Sequence, residues 1–146
     1  MYKKSNNLER FVNAQEVSYQ TALEEIKKGR KQSHWMWYIF PQVEGLGLSF
    51  KAQYYAIHDL QEAVRYLKHP VLGPRLIEIS KELLKLNTNN PTEVFGYPDD
   101  LKLRSCMTLF SVASSEYTIF DDVLEKYYNG EKDVLTLKIL KNSNSF

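Results

Sequence analysis

The sequence predicts an all-α fold: one compact multihelical domain of about seven helices. Three observations lead there. Apolar residues recur at spacings of three and four along most of the chain, as one face of a helix requires. Residues that start or stop helices bracket those stretches, Asp59, Asn90-Pro91 and Asp133 at the beginnings and Gly29 and Asn129-Gly130 at the ends. The one stretch rich in strand-favouring residues, 35–40, has no second segment to pair with.

Taken in order, Leu8, Phe11, Val12, Tyr19, Ala22, Leu23 and Ile26 mark an amphipathic helix over 7–28. Gly29 stands where a left-handed residue closes it, and Lys27 and Lys28 suit the negative end of its dipole. Ser33 is placed to cap a short helix that Pro41 stops at Phe40. Gly45 and Gly47 mark a loop, and Ser49 caps a short helix through Ile57. Asp59 with Glu62 three residues on resembles a capping box, opening a helix that His69-Pro70 breaks. Leu72, Leu76, Ile79, Leu83 and Leu86 line a helix over 71–86. Asn90 and Pro91 open one turn that ends at Gly96, and Pro98-Asp99-Asp100 open a helix to about Ala113. After a loop at 114–118, helices follow over 119–128 and from the Asp133 cap to Leu140.

A length of 146 residues fits one domain, expected over 7–141 with flexible ends at 1–6 and 142–146. Such a chain buries about two-thirds of its extended surface. With 19 basic and 18 acidic side chains, the net charge of +1 provides no field to gather nucleic acid or an anionic membrane, so neither is an expected partner. Cys106 is the only cysteine, which excludes an internal disulfide and favours a reducing, cytoplasmic setting. The first seven residues lack the apolar stretch of a secretory signal, and 35–40 is too short to span a bilayer. His34, His58 and His69 are too scattered for a metal site, and no cofactor motif occurs.

Two segments carry chemistry. The first is Ser33-His34-Trp35-Met36-Trp37-Tyr38-Ile39-Phe40-Pro41-Gln42, which holds both tryptophans of the chain. On a helix they point roughly 200° apart, so one serves the core and the other is free to line a pocket. His34 and Gln42 are polar handles at its two ends, as ligand pockets require. The alternative is that the aromatics are all core and His34 caps or bridges helices. The second segment is 95–110, where Leu103, Met107 and Phe110 form an apolar stripe and Lys102 and Ser105 are neighbours on another face. A Lys beside a Ser binds phosphate, activates a hydroxyl, or simply lines a solvated edge. Arg104 and Asp100 are spaced for a surface ion pair, and Cys106 reads as inert core. Gly45-Leu46-Gly47, with no strand before it, reads as a turn.

The aromatic run resembles the domain-of-unknown-function family numbered 1810. The likeness continues through Tyr55-Ala56-Ile57, Glu62-Ala63, Tyr66-Leu67-x-His69-Pro70-x-Leu72-Gly73-x-Arg75-Leu76, Phe95-Gly96, Asp99, Lys102-Leu103-x-Ser105 and Met107-Thr108-Leu109-Phe110, spanning 11–140. It implies a multihelical single domain and brings no assigned activity. Cys106 stands where that family's run would have a second Ser, which leaves Ser105 as the hydroxyl to examine. A fainter likeness, from Ser49 through Ala56 and over the closing helices, is to NADAR domains, helical proteins linked to NAD and ADP-ribose. Their motif has a Glu soon after the Ser, and 49–55 carries no carboxylate.

The expected function is therefore a small-molecule site for an ADP-ribose-like or other phosphorylated nucleotide ligand. Trp35 or Trp37 would stack a ring, Gln42, Lys102 and Ser105 would meet polar groups, and Arg75 would take a phosphate. If the chain is an enzyme, hydrolysis or group transfer is the expected class, with His34 or Asp99 as acid–base group. The alternative is a non-enzymatic interaction domain or homodimer that uses its aromatic surface.

Overall fold

Helical periodicity resolves into nine helices among residues 8–143, which the computed structural model describes. They are α1 (Glu9–Lys27), α2 (Met36–Ile39), α3 (Phe50–Tyr54), α4 (Leu60–Lys68), α5 (Leu72–Lys85), α6 (Pro91–Phe95), α7 (Asp99–Ala113), α8 (Ile119–Tyr128) and α9 (Val134–Ser143). The expectation of about seven is corrected upward because α2, α3 and α6, each a single turn, stand as helices of their own. No strand occurs among the described residues. One isolated bridge joins Val43 to Ile57, through Glu44 N–H to Ile57 C=O and Ile57 N–H to Gln42 C=O, each 2.8 Å. The expected flexible end at 1–6 lies outside the described residues, as does 144–146, whereas α9 continues through Ser143. Among the described residues no helix is long and apolar enough to cross a membrane.

Local chemistry sets the boundaries. Ser49 Oγ accepts Ala52 N–H, Asp59 Oδ1 accepts Glu62 N–H, Asn90 Oδ1 accepts Thr92 N–H and Asp133 Oδ2 accepts Thr136 N–H, so four predicted caps are in place. At the end of α1, Gly29 adopts φ +81°, its N–H reaches Ile26 C=O, and Arg30 N–H reaches Glu25 C=O. That is the Schellman closure, which needs a residue without a Cβ penalty.

α7 is the central element, packed by α4, α6, α8 and α9, while α1 packs on α5 and α2. Leu103, Cys106, Met107, Leu109 and Phe110 are fully buried on it, so the predicted stripe widens to most of its circumference. Burial pushes the Cys106 thiol well up, as an inert core thiol requires.

Three polar side chains of α1 are also buried, Arg10, Gln15 and, near its end, Glu25. Arg10 forms a two-pronged pair with Glu62 at 3.0 and 3.3 Å and donates to the carbonyls of Tyr54 (2.9 Å) and Ala56 (2.8 Å). Glu62, fully buried, also accepts His58 N–H at 2.8 Å. Gln15 donates to Tyr38 C=O and to the Tyr66 hydroxyl. These bonds bind α1 to the start of α4 and to the aromatic run.

The α4–α5 corner is tight. A Cβ on Gly73 would stand 2.1 Å from the Leu67 carbonyl oxygen. A Gly73→Ala change is therefore expected to cost about 2 kcal/mol through displaced backbone, read as a lower midpoint in urea denaturation. An unchanged midpoint would show that the corner does not need the close approach.

Candidate functional site

The aromatic run is placed by a carboxylate from α1. Glu25 accepts the N–H groups of Gln32 (2.8 Å) and Ser33 (2.9 Å), the Ser33 hydroxyl (2.6 Å) and the Trp35 indole N–H (2.8 Å). Burial alone would raise its pKa. The bonds from Ser33, Gln32 and Trp35 favour the charged form more strongly and hold it at about 2. Ser33 consequently does not cap a helix. Its hydroxyl is turned back to Glu25, and α2 begins only at Met36.

Only Trp37 of the two tryptophans lies within α2; Trp35 precedes it with φ −133°, outside helical geometry. Trp35 is buried, with its ring centroid 6.2 Å from Phe40 and 6.4 Å from Phe95. Trp37 is half-buried. The Lys51 ammonium lies 4.9 Å from its ring centroid and the Lys102 ammonium 5.8 Å. Both are at cation–π range. Beneath the ring is a cavity of about 10 Å³ bordered by Trp37, Phe40, Gln42, Gly47, Tyr55 and Lys102. That is room for about one water molecule.

Asp99, at the start of α7, bridges two of the lysines. Its carboxylate meets Lys31 at 3.0 Å and Lys102 at 3.5 Å. Lys31 also donates to Ser33 C=O at 2.6 Å, and its backbone N–H is held by Val94 C=O. Asp99 thus holds two ammonium groups and Trp37 faces two, with Lys102 common to both, while Lys31 lies 5.1 Å from the Trp35 ring centroid. Lys51 has no carboxylate partner among the described residues. The arrangement can hold an anion against an aromatic ring.

Trp37, Gln42, Asp99 and Lys102 therefore come together, with Trp35 behind them. The other predicted residues lie elsewhere. Ser105 donates to Leu101 C=O and to Asp133 Oδ2, both at 3.3 Å, so its hydroxyl belongs to the anchor of α9 and not to Lys102. Arg75 is held by Glu16 at 3.6 Å, by Gln15 and over the Tyr19 ring. His34 is exposed and makes no hydrogen bond among the described residues, to Asp99 or to any other group. Arg104 pairs with Glu131, not with Asp100, which is buried and takes the Thr92 hydroxyl. Sequence reasoning missed Lys31, Lys51 and Tyr55. Lys31 stands two residues after Gly29 and two before the aromatic run, and Lys51 stands one turn before Tyr54-Tyr55. In both, a cation beside aromatics was the available signal. Among the described residues no cluster of His, Cys, Asp or Glu is arranged to hold a metal ion.

No curated protein matches the chain. The crystal structure of the conserved hypothetical protein Rv1873 from Mycobacterium tuberculosis is similar, at 47% identity and a TM-score of 0.89, over 91% of this chain and 95% of that one. The model of the family described as a protein of unknown function, DUF1810, matches residues 5–140. Nearly the whole chain is covered by that match, and the chain belongs to the DUF1810 family.

Proposed function

We propose that the chain binds a small anionic molecule with a flat ring, of the phosphorylated-nucleotide class, at the Trp37 face. The observation that carries this reading is the placement of the Lys51 and Lys102 ammonium groups over one half-buried indole. An anionic group bridges the two lysines, with Asp99, itself paired with Lys31, holding Lys102 in place behind it. The ligand ring lies along the open edge of Trp37, and Gln42 offers its amide at the cavity wall. Ligand access requires the loop around Gly47 to give way, because the space beneath the indole is closed to anything larger than water.

Titration with ADP-ribose, AMP and inorganic phosphate, followed by tryptophan emission and by calorimetry, tests the reading. Saturable quenching by a nucleotide is expected, with no quenching after Trp37→Phe. Affinity is expected to fall roughly tenfold or more after Lys51→Met combined with Lys102→Met, as loss of charge-assisted bonds implies. No binding by any of the three, or quenching that survives Trp37→Phe, would remove the site.

A further inference from the structure

The α4–α5 corner uses a histidine where a shorter residue would serve. His69 Nδ1 accepts the backbone N–H groups of Val71 (3.1 Å) and Leu72 (3.3 Å). Ser, Thr, Asn and Asp ordinarily take such N–H groups. In the neutral ring the accepting nitrogen carries no proton, so the N–H is on Nε2. Nε2 has no hydrogen-bond partner among the described residues.

His69 lines an open cleft of about 490 Å³ between this corner and the α7–α8 loop. Ser114 lines it too, and its Oγ accepts the N–H groups of Glu116 (3.3 Å) and Tyr117 (3.2 Å). With the oxygen engaged as acceptor, the Ser114 hydroxyl proton is left to donate. The cleft lining therefore includes two donors, the His69 Nε2–H, whose ring is held by the Val71 and Leu72 N–H groups, and the Ser114 O–H. Its apolar wall includes Leu67, Ile77 and Ala113, and Lys68 adds an ammonium. Glu116 lines the same cleft and opposes a second negative charge on any ligand. The volume suits a small organic molecule.

We propose that this cleft is a second binding site, independent of the Trp37 face, for a small apolar monocarboxylate. The carboxylate takes the His69 Nε2–H, the Ser114 O–H and the Lys68 ammonium, and the apolar body lies on Leu67, Ile77 and Ala113. Lys68 supplies one positive charge for a single carboxylate, and Glu116 disfavours the second negative charge of a phosphate dianion.

The test is a nuclear magnetic resonance titration of the full chain with benzoate, 3-phenylpropanoate and hexanoate. Their primary amides and inorganic phosphate serve as comparisons. Saturable shifts of the backbone amides at 69–72 and 114–117 are expected with the carboxylates alone. His69→Asn keeps an acceptor for the Val71 and Leu72 N–H groups and replaces the Nε2–H by an amide N–H that reaches less far into the cleft, so it is expected to weaken binding roughly tenfold. Lys68→Met, at an exposed position, is expected to weaken it several-fold and decides the matter if His69→Asn does not fold. The proposal is overturned by an absence of saturable shifts at these amides. It is equally overturned by amides or phosphate binding as tightly, or by affinities unchanged in the variants that fold.

Discussion

Arg10→Met is expected to lower the unfolding free energy by about 3–5 kcal/mol, the cost of leaving one member of a buried ion pair uncompensated. Glu62 is fully buried, and without Arg10 it keeps only His58 N–H as a donor from outside its own helix. The carbonyls of Tyr54 and Ala56 lose their Arg10 bonds at the same time. Urea denaturation at neutral pH measures the effect. In a chain of this size it corresponds to a fall in melting temperature of roughly 6–20 °C. A double change, Arg10→Met with Glu62→Met, separates the pair from its surroundings. Replacing both charges by apolar groups of similar volume is expected to recover part of the loss. A loss under about 1 kcal/mol for Arg10→Met alone, the range of a solvated surface pair, would show that this pair does not close the core.

Glu25→Gln is the second large effect, and it depends on pH. The folded state holds the Glu25 carboxyl at about 2 against an ordinary 4.5. That difference corresponds to about 3 kcal/mol favouring the fold whenever the unfolded chain is ionised. A depressed acid stabilises above its unfolded pKa, and the contribution is lost as pH falls through the folded one. The gap between wild type and Glu25→Gln should therefore be complete at pH 7, shrink from about pH 4.5 downward and vanish near pH 2. Denaturation midpoints of both proteins across that window measure it. A gap that stays constant with pH would mean that the carboxylate charge is not what holds the run. Trp35 gives a second readout, since its indole N–H loses a charged acceptor and its emission should move to the red.

What could be read from the sequence was local chemistry. The Ser49, Asp59, Asn90 and Asp133 caps were legible because each acts on an N–H two or three residues ahead. Gly29 was legible for the same reason. Ser33 was misread because the competing acceptor, Glu25, lies eight residues back across the turn that Gly29 makes. Arg10 was not legible, since its partner is 52 residues away and a charged residue at a helix start ordinarily faces water. Gln15 left a trace: it sits four residues from both Phe11 and Tyr19, a polar gap on the apolar face. At the candidate site, a split between one buried and one more exposed tryptophan was expected from a helix running through both, whereas Trp35 lies just outside α2. Lys102 was a candidate from the sequence, but its place over Trp37, and Lys51 altogether, were not legible, because the two lysines arrive from α3 and α7, whose placement depends on the whole core.

The bridge between Val43 and Ile57 divides the work of the chain. Its two backbone bonds pinch off residues 44–56 as an Ω-shaped bow, with Gly47 and Lys51 on the bow and Trp37 and Lys102 on the body. Doubling the length of such a bow adds only about 0.6 kcal/mol of closure entropy. The far part of the bow, around Gly47 and Lys51, is thereby set apart from the body, while its closing residues are tied into the core by Arg10 through the Tyr54 and Ala56 carbonyls. A chimaera that exchanges only 44–53 between relatives is therefore expected to change ligand preference with the least disturbance of the fold.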